Sequence, residues 1–163
     1  MSSPRFSTNG LGKPSANGQS TPAASLDDRE SQVTTAMNAR RDRLNQLWQD
    51  AEDRLKRIGF HSNVLYEANS YADDDHPDYK VYHDCLGFLK LPTGWRLCFV
   101  TTNDLYPDEY RTLKPITESS ADIRLRMIPF IGKLRQRIIE QAELSIPTFD
   151  AAIAEFERTL ANW

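Results

Sequence analysis

The 163 residues read as an α+β protein: a small antiparallel sheet, hairpin or three-stranded meander, packed with three helices behind a disordered N-terminal tail. Three observations carry that reading. Leu91-Pro92-Thr93-Gly94-Trp95 joins two runs of strand-forming residues, 79–91 and 95–102. Apolar residues recur at three- and four-residue steps on both sides of that hairpin, the sign of amphipathic helices. The first 25 residues include 17 of Ser, Thr, Asn, Gln, Gly or Pro, too little apolar surface to offset the entropy of ordering.

Residues 1–26 therefore read as the tail and 27–163 as one domain of ordinary size. The tail's composition suits a tether. It also resembles the Ser/Thr/Asn-rich leaders of proteins exported by bacterial needle-type systems.

From Asp27 to Ile58 the residues Val33, Met37, Leu44, Leu47, Trp48, Ala51, Leu55 and Ile58 form one stripe, weak before Met37. Ser25 or Asp27 is placed to cap this long first helix, and Gly59 to end it. Its other face mixes both charge signs, as solvated helix faces do. Val64, Leu65 and Tyr66 mark a short strand, and residues 69–78 a polar acidic loop.

In the hairpin, Pro92 suits the first central position of a type I turn. Gly94 suits the left-handed position after it, which gives a three-residue loop with a bulge. That register sets Leu89 opposite Leu97 and Cys85 opposite Thr101, and gathers Leu86, Phe88, Cys98 and Val100 on the other face. It also separates Cys85 from Cys98, which argues against a disulfide.

Residues 103–119, with Pro107 and Pro115, read as an irregular connection. Ser119 or Ser120 caps a second helix to Leu144, kinked at Pro129. Ser145-Ile146-Pro147 reads as a break, and a third helix follows with Phe149, Ile153, Phe156 and Leu160 buried.

The net charge of −3 becomes −5 once the tail is set aside, which argues against a dedicated nucleic-acid binder. No run is long and apolar enough for a membrane span, and no secretory leader is visible, so the expectation is a cytoplasmic protein with no membrane association. No glycine-rich phosphate loop, zinc spacing or metalloprotease motif is present. No cofactor, metal site or catalytic residue is assigned.

Four groups of residues carry the functional expectations. Leu86, Phe88, Cys98 and Val100 form an apolar face that needs a cover, supplied by the chain's own helices or by a protein partner or second copy. Ser119, Ser120 and Arg124, at a helix start, are a candidate anion site. His61, His76 and His83, with the carboxylates of the run Asp73-Asp74-Asp75-His76-Pro77-Asp78, are the raw material of a small metal-dependent or ligand-binding enzyme. Arg124, Arg126, Lys133, Arg135 and Arg137 would serve a nucleic-acid-associated regulator, but helical spacing scatters them over several faces. The reading that these weigh toward is a non-enzymatic, regulatory or adaptor-type interaction domain.

Overall fold

The computed structural model describes residues 25–73, 80–104 and 110–163, in the order α1 (Leu26–Lys56), β1 (Val64–Asp73), β2 (Lys80–Leu91), β3 (Gly94–Asn103), β4 (Thr112–Pro115), α2 (Ala121–Met127) and α3 (Ile131–Ala161). A mixed helix-and-sheet architecture is what the sequence leads one to expect. Two features differ: there are two long helices, not three, and the sheet has four antiparallel strands in the order β1-β2-β3-β4. The chain divides into two compact units, Met1–Ala36 and Met37–Trp163.

Ser25 caps α1. Its hydroxyl accepts from the Asp28 N–H at 3.1 Å and donates to the Asp28 carboxylate at 2.8 Å, a reciprocal arrangement of the capping-box kind. Asp27 and Asp28 in the first turn, and Arg54 and Lys56 in the last, complement the helix dipole. Gly59 takes the positive φ of 74° beyond the helix end.

The hairpin turns in two residues, not three. Leu91 pairs with Gly94, and Gly94 keeps its expected positive φ, 111°, while joining the ladder instead of bulging from it. Every later pair slips by one: Leu89 faces Arg96, Gly87 faces Cys98 and Cys85 faces Val100. Because side chains alternate with period two, a slip of one exchanges partners across the whole hairpin. Leu86 and Phe88 therefore share a face with Phe99 and Leu97, while Cys98 and Val100 lie with Cys85 and Leu89. The expected patch of four is split between two faces. The two cysteines share one face as diagonal neighbours, and both are free thiols.

The main core lies between the sheet and the helices of the unit Met37–Trp163. Leu86, Phe88, Leu97 and Phe99 meet Trp48 and Leu55 of α1, Met127 of α2, and Leu134 and Ile138 of α3. Proline placement explains the helices. Pro129 sits in a 3-10 turn, Ile128–Phe130, where its missing N–H is not required, and this turn separates α2 from α3. Pro147 does not break α3, which runs through it. It lies on an exposed stretch, and just before it the Ser145 hydroxyl donates to the Gln141 carbonyl at 2.8 Å. The expected break and the third helix thus merge into the end of α3. Its residues Phe149, Ile153, Phe156 and Leu160, expected in the core, are exposed.

One polar contact locks α1 to the sheet. β4 pairs with β3 only from Cys98 to Thr101, because Pro115 cannot extend the ladder. The Leu97 N–H on that open edge donates instead to the carboxylate of Glu52, at 2.8 Å. Arg96 Nε lies 3.1 Å from the same carboxylate and Lys56 Nζ 2.8 Å. Glu52 is buried. Replacing Glu52 with Ala leaves the Leu97 N–H without a partner and is expected to cost about 2–3 kcal/mol. Glu52→Gln retains an acceptor and should cost less. Chemical denaturation of both variants measures this; equal, negligible losses would show that the edge does not need the carboxylate.

Candidate functional site

The structure sorts the sequence-derived groups by access. Leu86, Phe88, Cys98 and Val100 are all buried, so the hairpin face that looked in need of a cover is already covered. Burial also pushes the Cys85 thiol up to about 11 and the Cys98 thiol to about 12. Both stay protonated near neutrality, which suits packing better than nucleophilic chemistry.

Ser119, Ser120 and Arg124 lie together at the start of α2, but their hydroxyls are used within the chain. Ser119 Oγ donates to the Pro115 carbonyl at 3.4 Å, and Ser120 Oγ caps α2 by accepting from the Ile123 N–H at 3.3 Å. Arg124 is buried, with no hydrogen-bond partner at Nε or Nη1. Arg126 of the same helix lies 3.8 Å from Asp84, which accepts from the Thr101 hydroxyl at 3.0 Å.

Most of the acidic run, including His76, lies outside the described residues. His61 packs against Trp95, ring centroids 5.6 Å apart. His83 stands in a polar cluster on the sheet. Its Nε2 bonds Asp104, its Nδ1 lies 3.2 Å from Glu67 and 3.3 Å from Ser70, and the Ser70 hydroxyl donates to Glu67. Sequence reasoning had no route to this cluster, because Asp104 arrives from the far end of β3 and Glu67 from a strand longer than expected. Among the described residues no group of His, Cys, Asp and Glu is arranged to hold a metal ion.

A hydroxyl, imidazole and carboxylate in contact invite comparison with a nucleophilic triad. The charges run the other way. Asp104 first, then Glu67, raise the pKa of His83, favouring an imidazolium that cannot accept the Ser70 proton. That proton is directed at Glu67, whose own pKa is lowered, first by Ser70 and then by His83. The cluster is an ion network that joins β1, β2 and the end of β3.

Two concave features lie on the helices. A groove of about 800 Å³ between α1 and the start of α3 is lined by the apolar Leu47, Ala51 and Ile131 and by the cationic Arg54, Arg57 and Arg135. A smaller hollow of about 430 Å³ sets Phe149 and Leu144 of α3 near Phe60. Beyond it, Ile153, Phe156, Leu160 and Trp163 are 55%, 62%, 46% and 95% exposed. With Ile146 and Phe149 they fall at alternating steps of three and four, the seam of a helix that packs on another helix.

The His83 network makes a pH-dependent contribution to stability. A histidine whose pKa is raised by folding contributes in full below its unfolded value of 6.5, and that contribution disappears as pH rises through the folded value. The melting temperature of the wild type should exceed that of His83→Gln by a constant margin from about pH 5.5 to 6.5, and the margin should shrink toward pH 9. A margin that grows with pH would show that His83 is neutral in the folded protein.

No family model, curated protein or solved structure matches this chain.

Proposed function

We propose that this chain is a non-enzymatic protein-interaction domain of regulatory or adaptor type, and that it docks through the outward seam of α3. The observation that supports this most directly is the run Ile146, Phe149, Ile153, Phe156, Leu160 and Trp163, large apolar side chains in helix-packing register and exposed. Scattered exposed apolar residues need no explanation, but a contiguous seam of this kind marks a surface that another helix or groove covers. Three aromatics among the six strengthen the case, since aromatic anchors dominate interface energetics.

The buried, protonated cysteines and the self-neutralising His83 network fit this reading, because neither offers a nucleophile or general base. The sequence placed the docking surface on the hairpin. The hairpin's apolar residues are core, and the unmet need for a cover moves to the helix beyond it.

The double substitution Phe149→Asp and Phe156→Asp tests the proposal. Both side chains are exposed, so circular dichroism should show an unchanged fold. Association of the purified chain with itself, or with a protein recovered by cross-linking from its source cells, should weaken at least about a hundredfold, as expected when two anchor residues are lost. Association that survives the substitutions intact, or a chain that binds nothing with or without them, would overturn the reading.

A further inference from the structure

We infer that the covering partner of the α3 seam is a second copy of this chain, each copy laying residues 146–163 into the other's α1–α3 groove. This rests on the reading of α3 as a docking surface and adds the identity and seat of the occupant.

Charge is the first argument. The lining of the groove carries Arg54, Arg57 and Arg135 against one carboxylate, Asp50. None of the three arginines forms an ion pair among the described residues. The seam is acidic: Glu143, Asp150 and Glu157 recur at every seventh residue along one flank, and none of them forms an ion pair among the described residues either. The single cation after Arg137, Arg158, is occupied by Glu155 at 3.6 Å. The chain thus carries a cationic groove and an acidic flank whose charges form no ion pair among the described residues. A seam packed on its own copy in antiparallel fashion would instead bring its acidic flanks together, at a cost.

Shape agrees with charge. A groove lined by apolar and charged side chains is the usual seat of an amphipathic helix. The seam's helical part, from Ile146 to the end of α3 at Ala161, spans about 23 Å at 1.5 Å per residue. The groove's lining residues on α1 run from Leu47 to Leu55, about 12 Å at the same rise, so the groove seats about half of the seam.

The chain cannot fill its own groove. Arg135 in the groove lining and Ile146 at the head of the seam belong to one unbroken helix, which holds them about 16 Å apart. A second copy meets no such restriction. Exchange of the same seam for the same groove gives a closed two-fold dimer.

Charge reversal in trans decides the matter. Sedimentation equilibrium should find the full-length wild type dimeric. Asp150→Arg with Glu157→Arg on the seam should raise the dimer dissociation constant at least about tenfold. Arg54→Glu with Arg57→Glu in the groove should do the same, with Arg135→Glu on α3 as a second groove variant. An equimolar mixture of seam-reversed and groove-reversed chains should sediment as a heterodimer of near wild-type affinity, since each contact is again between opposite charges. A monomeric wild type overturns the proposal, and so does a dimer indifferent to the groove reversals or a mixture that stays apart. A monomer whose seam still binds another protein overturns the dimer alone and leaves the interaction reading standing.

Discussion

A single buried carboxylate decides how this protein is put together. The sheet ends early on one side: Pro115 closes β4 after four residues, leaving the backbone of Leu97 on an open edge. A buried N–H without a partner is costly, and among the described residues no strand supplies one. Glu52 supplies it from a helix, and Arg96 and Lys56 offset the charge this brings into the interior. The same contact aligns Trp48 and Leu55, one turn either side of Glu52, over Leu97 and Phe99. Placement of α1, termination of the sheet and burial of the hairpin are therefore one problem with one solution.

Local chemistry in the sequence announces many of these elements. The stripe of α1, the cap at Ser25, the positive φ of Gly94 and the cap at Ser120 all rest on interactions within a few residues. Features set by distant partners do not announce themselves. β4 is four residues long and bears no strand pattern of its own, and β1 reaches Asp73 through polar residues because β2 is there to pair with. The hairpin register turned on whether Gly94 bulges or pairs. The turn residues allow both, and the packing of Leu86 and Phe88 with Leu97 and Phe99 favours one. The Glu52 contact, which joins residues 45 positions apart, leaves no local signature at all.

The helix after Pro129 shows a different limit. Periodicity reveals that one side of a helix is apolar and therefore wants a cover; it carries no information about which chain provides it. Along α3 the same side is buried at Leu134 and Ile138 and exposed at Phe149, Ile153 and Phe156. Nothing in the spacing changes between the two halves. What changes is the body beneath: the sheet and α1 lie under the first half, and the helix then continues past them. Pro147 was expected to end the helix because proline removes a backbone hydrogen bond, at a general cost of about 3 kcal/mol. The helix nevertheless continues for about another four turns of exposed apolar surface.

An isolated helical extension of that kind is hard to explain by its own stability, since helices of this length are marginal in water without packing. A seam in helix-packing register, flanked on one side by evenly spaced carboxylates, has the form of one half of a contact. The other half requires apolar residues between cations, and the groove where α1 meets α3 has that composition. The device that anchors α1 to the sheet also positions this groove, because Glu52 fixes the helix whose Leu47, Ala51 and Arg54 line it. Fold and proposed contact then depend on the same carboxylate from opposite sides of one helix: its inner face closes the sheet edge, and its outer face carries the groove proposed to receive the end of another α3.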